Sequence, residues 1–136
     1  MQVLSEGIYY DVAHNSSGIQ TVLRCLQDIY PDHKIYGLFC LKGDKDLKSI
    51  ASQLKGKFKK LFVTGSTHGF IINPQKLSKK LNNLGIKNYP IESIKIGIEL
   101  LKGVVKKGGI GIIFGTHYIA EEVFKEFEIS FDSGII

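Results

Sequence analysis

Along the chain, short runs of consecutive apolar and β-branched residues alternate with longer stretches in which apolar positions recur every three or four residues. The runs fall at 8–12, 35–39, 61–64, 86–89 and 110–114. Runs this short and this uniformly apolar suit strands buried on both faces of a sheet. Between them, Ile19, Val22, Leu23, Leu26 and Ile29 mark one helical stripe, and Leu47, Ile50, Ala51 and Leu54 a second. Leu77, Leu81 and Leu84 sketch a third helix, Ile94, Ile98, Leu101 and Val105 a fourth, and Ala120, Val123, Phe124 and Phe127 a fifth. Such alternation predicts an α/β fold: a Rossmann-like three-layer sandwich with a mainly parallel sheet of five or six strands, right-handed crossovers and helices on both faces. Ile129-Ser130-Phe131 reads either as an edge strand or as a frayed tail.

Length and composition narrow this further. A chain of 136 residues holds one domain with one core, and 43% hydrophobic with 23% charged residues excludes a disordered chain, a collagen-like repeat and a coiled coil. No apolar stretch approaches the ~18 residues of a membrane span, and the first residues lack the basic start of a signal peptide, so the expectation is a soluble, cytoplasmic protein with no membrane partner. Lys plus Arg outnumber Asp plus Glu by 18 to 13, a formal charge of +5 that favours anionic partners without naming one. The clusters Lys55-Gly56-Lys57, Lys59-Lys60, Lys79-Lys80 and Lys106-Lys107 each fall near a predicted helix C-terminus, where the helix dipole favours cations, and the expectation is therefore no nucleic-acid partner. Cys25 and Cys40 lack C-x-x-C spacing and are expected to be buried, reduced thiols. The four histidines show no paired metal-ligand spacing, and Gly108-Gly109-Ile110-Gly111 precedes a strand, as a tight turn does, rather than opening a helix as a dinucleotide loop must.

In open parallel sheets ligands collect outside the carboxyl ends of the strands. Four unusually polar segments follow the predicted strands: 11–17, 42–46, 64–69 and 115–118. In the first, Asp11 and His14 precede a helix start whose amides suit an anion, a carboxylate suits ribose hydroxyls, and an imidazole suits phosphate oxygen. The same residues equally describe a capped helix, with Asn15, Ser16 or Ser17 as the cap. Asp44, Lys45 and Asp46 read either as cleft residues or as a cap with a helix-start charge pair, while Asn73-Pro74 reads as a cap followed by proline at the first helical position.

The segment Asp11-Val12-Ala13-His14-Asn15 resembles the D-G-A-H-N-P motif that opens the C-terminal domain of the folylpolyglutamate and dihydrofolate synthases, within the Mur ligase superfamily. Gly37-Leu38-Phe39 followed by Asp44-Lys45-Asp46 resembles that family's strand and D-K-D motif, and Gly115-Thr116-His117-Tyr118-Ile119-Ala120-Glu121-Glu122-Val123 resembles its G-S-x-Y-x-x-G-E-V segment. All three stand in family order. The chain departs from the pattern at Val12, Ser16, His117 and Glu121, and Gln75 stands where an arginine is common, removing a bidentate partner for carboxylate.

The resemblance implies that Asp11 contacts the ribose of ATP, that His14 lies near the phosphates, and that Asn15 supports their turn. It places Thr116 near the incoming glutamate or the acyl phosphate, and Asp44, Lys45 and Asp46 in the cleft. It also implies an ATP-dependent amide ligase that adds glutamate to folate or dihydropteroate with Mg2+. No G-x-x-x-x-G-K-[ST] phosphate loop occurs in the chain. In the resembled family that loop and the magnesium ligands belong to a larger N-terminal domain. Residues 1–136 are therefore expected to form one C-terminal domain, inactive alone, whose partner is the N-terminal ATPase domain of the same enzyme. The alternative is a stand-alone Rossmann-like nucleotide-binding or interaction module without catalysis.

Overall fold

The computed structural model describes residues 1–43, 45–66 and 69–128. A hairpin opens the chain: β1 (Gln2–Ser5) runs antiparallel to β2 (Ile8–Asp11), joined through Gly7 at a φ of +81°, a conformation that glycine adopts without steric cost. Four βα units complete the domain: α1 (Ser16–Ile29) and β3 (Ile35–Phe39), α2 (Leu47–Leu54) and β4 (Lys60–Val63), α3 (Pro74–Asn83) and β5 (Tyr89–Pro90), then α4 (Ile94–Lys106), β6 (Ile110–Phe114) and α5 (Ala120–Glu126). The six strands lie in the order β1-β2-β6-β3-β4-β5, parallel throughout except for β1. This is the expected three-layer α/β sandwich.

Alternation of side chains across the strands divides the core in two. Ile35, Phe39, Ile112 and Phe114 point to the face covered by Ile19, Leu23 and Leu26 of α1, Ile50 and Leu54 of α2, and Leu77 and Leu81 of α3. Leu38, Ile113, Ile8 and Tyr10 point to the other face, covered by Ile94, Ile98 and Leu101 of α4 and by Val123 and Phe124 of α5. Helix α4 approaches the sheet closely at Gly97, where a Cβ would come within 2.6 Å of Leu38.

The structure corrects four expectations. The sheet begins at Gln2 rather than at residue 8: β1 buries only Leu4, so its sequence carries no apolar run, and it forms because the hairpin brings it to the edge of β2. The strand expected at 86–89 is the two-residue β5 at Tyr89–Pro90, while Ile86 is buried with α3 on the α1–α3 face. Cys25 is exposed on the outer side of α1, whereas Cys40 is fully buried; both are free thiols. Lys60 opens β4, with Lys59 just before it, rather than closing a helix. Residues 129–131 lie outside the described residues. Among the described residues no helix is long and apolar enough to cross a membrane.

Candidate functional site

The last residues of five strands form a single row. Asp11 of β2 pairs with Phe114 of β6, Phe114 with Phe39 of β3, Phe39 with Val63 of β4, and Val63 with Pro90 of β5. The segments that follow therefore leave from one edge. Beyond β2 the chain turns to α1 on one face, and beyond β6 it turns to α5 on the other. A crevice at the carboxyl edge results where adjacent parallel strands send their crossovers to opposite faces.

On the β2 side, one carboxylate oxygen of Asp11 accepts the Ala13 N–H at 2.8 Å, which turns the chain, and the other lies 3.1 Å from the amino group of Met1. His14 is exposed, with Nδ1 3.2 Å from the Val12 carbonyl. Asn15 is the cap of α1: its side-chain oxygen accepts the Gly18 N–H at 2.8 Å. Its oxygen thus serves the helix start, which fixes the direction of the first-turn amides beside Asp11 and His14.

On the β6 side, Gly115 has a φ of +114°, and a Cβ there would lie 1.9 Å from the Cys40 carbonyl oxygen. Only glycine allows the two chain segments to pass this closely. Thr116 is buried: its hydroxyl oxygen accepts the Tyr118 N–H at 3.1 Å, and its carbonyl accepts the Tyr10 hydroxyl at 2.7 Å. Burial pushes the Tyr10 hydroxyl well above its ordinary pKa, so it stays a donor and ties β2 to the β6 loop. Burial likewise raises the Cys40 thiol, and the nearby charge of Glu122 adds to the effect. The thiol is not poised for chemistry.

The segments beyond β3 and β4 are joined to each other. The Gly43 N–H donates to the Phe70 carbonyl at 3.0 Å, and the Ile72 N–H to the Leu41 carbonyl at 2.9 Å. Phe70 and Tyr118 meet edge to face at 5.7 Å, His117 lies 4.2 Å from Tyr118 between ring centres, and the Lys42 ammonium sits 5.9 Å from both the Phe70 and Tyr118 rings. Ser66 donates to the carboxylate of Glu122 across the same edge. Asp46 caps α2 by accepting the Ser49 N–H at 3.2 Å, with Lys45 half-buried beside it. Asp44 lies outside the described residues. Asn73 caps α3 with Pro74 in its first turn, so Gln75 contributes its backbone N–H to that cap.

The carboxyl edge thus carries Asp11, His14 and Asn15 beyond β2 and the buried Thr116 beyond β6, with Lys45 and Asp46 beyond β3. Sequence reasoning placed Gly115 at the head of a polar segment but missed the close approach it permits, and it missed Tyr10 and the Ser66–Glu122 bond. Gly115 stands immediately after an apolar run, and that position was the available signal; the other two depend on contacts between residues far apart in the chain.

Residues 1–117 match the family described as Mur ligase, glutamate ligase domain. The chain belongs to that family. No curated protein sequence matches it. Among solved structures, this Mur ligase domain superposes on Mycobacterium tuberculosis folylpolyglutamate synthase complexed with ADP and AMPPCP, with a TM-score of 0.82 at 19% identity, covering 93% of this chain and 31% of that one. E. coli FolC in complex with ADP gives 0.80 at 15% identity over 93% of this chain and 30% of that one. Helicobacter pylori folylpolyglutamate synthetase gives 0.72 at 21% identity, again with 93% and 30% covered. The Mur ligase domain described here therefore spans under a third of the length of these similar structures and shares their fold over that part.

Proposed function

We propose that this domain closes the nucleotide site of an ATP-dependent amide ligase of the folylpolyglutamate synthase or dihydrofolate synthase type. The observation that supports the reading is the common row of strand ends, in which Asp11 and His14 beyond β2 neighbour the Thr116 loop beyond β6. The donor set fits a nucleotide. The Asp11 carboxylate is an acceptor suited to a ribose hydroxyl, while the exposed imidazole of His14 and the capped start of α1 suit phosphate. Asn15 holds that start in place, and Lys45 and Asp46 border the cleft.

In this reading ATP supplies the phosphoryl group that activates the carboxylate of folate or dihydropteroate. The amine of glutamate then forms the amide bond as phosphate leaves. The domain's residues bind and orient: Asp11 fixes the ribose, His14 hydrogen-bonds phosphate oxygen, and closure of the edge excludes water from the acyl phosphate. Thr116 acts by position, because its hydroxyl oxygen shapes the loop and its carbonyl is held by Tyr10. Among the described residues no group of three or more His, Cys, Asp or Glu could hold a metal ion, so no residue here is assigned to Mg2+. The phosphate loop and the metal ligands are assigned to an N-terminal ATPase domain of the same enzyme, working in the cytoplasm.

Calorimetric titration of the chain with a nonhydrolysable ATP analogue tests this. Weak, saturable binding is expected, lowered about tenfold by Asp11→Ala, on the order of one charge-assisted hydrogen bond, and lowered also by His14→Ala. Incubation with ATP, Mg2+, glutamate and a folate should give no amide product. Glutamate ligation by the chain alone, or binding indifferent to both substitutions, overturns the proposal.

A further inference from the structure

The sheet edge opposite the crevice carries a second feature. Because β2 to β6 are parallel, their amino ends share one edge, and lysines from distant parts of the chain converge there. Lys34, Lys59, Lys60 and Lys87 lie at or just before the starts of β3, β4 and β5. Lys55 and Lys57 follow α2, and Lys106 and Lys107 close α4. All eight are exposed, and none has a carboxylate within 4.0 Å among the described residues.

The helix dipole accounts for the lysines after α2 and α4 but not for those that open strands, since strands carry only small net dipoles. Like charges crowded without carboxylate partners repel, and an anion from outside would relieve that repulsion. Open grooves of about 250, 490 and 430 Å3 run together along this edge, sharing Phe58 and Lys59 between the first and second, Lys34 between the second and third, and Lys60 between the third and first. Only Asp32 contributes a carboxylate to their linings.

We propose that this amino-terminal edge docks the phosphate backbone of a single-stranded nucleic acid. Lys60 and Lys87 stand opposite one another on neighbouring strands, whose spacing is about 4.8 Å, and Lys34 lies two residues further toward the amino end of the sheet, a stepped row of charge suited to a chain that carries a charge every few ångströms. The array is made of lysine alone; the chain's single arginine, Arg24, is on α1 outside these grooves. Ammonium groups act as point charges toward phosphate oxygen and, without the fork of a guanidinium, impose no planar geometry on the anion. The aromatic rings in the grooves are already engaged. Phe58 stacks on Phe114, and Tyr89 lies between Lys60 and Lys87, whose ammonium groups are 5.5 and 5.9 Å from its centre. The edge therefore reads charge and not base sequence.

Fluorescence anisotropy with a fluorescein-labelled oligouridylate of about 15 nucleotides measures this. Binding is expected near 50 mM salt, with affinity falling as the logarithm of salt concentration rises, by a slope of about 0.7 per phosphate contacted. The Lys34→Glu/Lys60→Glu double variant should lose at least about tenfold in affinity, and the milder Lys34→Gln/Lys60→Gln pair a smaller share. Lys48→Glu/Lys76→Glu, which changes net charge equally at exposed sites on α2 and α3, should change it less than about twofold. Circular dichroism confirms that each variant is folded. Absence of binding, an equal loss in the control pair, or equal competition by an oligoglutamate of the same charge overturns the proposal.

Discussion

At the scale of single residues, two free cysteines separate by environment alone. Cys40 is fully buried between β3 and the Gly115 turn with its thiol pKa raised, whereas Cys25 faces outward from α1. Titration of the native protein with an aromatic disulfide reagent should show one fast thiol, and a second only on unfolding; Cys25→Ser should abolish the fast phase. The exposure of Cys25 was hard to foresee because it lies between Leu23 and Leu26 on a helix whose apolar stripe is nearly continuous. Only the sheet's position decides which side of such a helix is covered. Asp11 and His14, by contrast, were legible: a polar pair directly after an apolar run must stand at a strand end, whichever strands flank it.

At the scale of elements, four of five helices begin on a side chain that satisfies a first-turn N–H: Asn15, Asp46, Asn73 and Ser93. Asn15→Ala should lower stability by about 1 kcal/mol while Asn15→Asp retains most of it, as read from urea unfolding midpoints. If the capped turn also presents its amides to nucleotide, Asn15→Ala should weaken analogue binding in parallel. The helices were legible because each repeats its apolar positions on one side and all but α5 start on a capping residue. The edge strands were not. β1 buries one residue, and β5 pairs over two residues and ends at Pro90, which has no N–H to donate; neither leaves a period to read.

At the scale of the whole molecule, stability carries a dependence on pH from a phenol in the core. Tyr9 shares a hydrogen bond with Tyr30, which together with burial raises its pKa from an ordinary 10 to about 12. A raised acid favours the neutral form in the folded state, so its contribution to stability is complete below pH 10 and is lost as pH climbs through 12. Thermal unfolding midpoints should fall across that window, with a shallower fall in Tyr9→Phe. The convergence of lysines belongs to this scale too: their spacing along the chain shows separate clusters, and only the strand order gathers them at one edge. The antiparallel direction of β1 has the opposite effect at the other edge. It carries the chain's start up beside Asp11, so any polypeptide attached to Met1 would emerge at the mouth of the crevice. Joining it would also convert the ammonium into an uncharged amide, releasing the outer oxygen of Asp11 from its ion pair. A covalent leash at that point would deliver its cargo and unmask the carboxylate in one stroke.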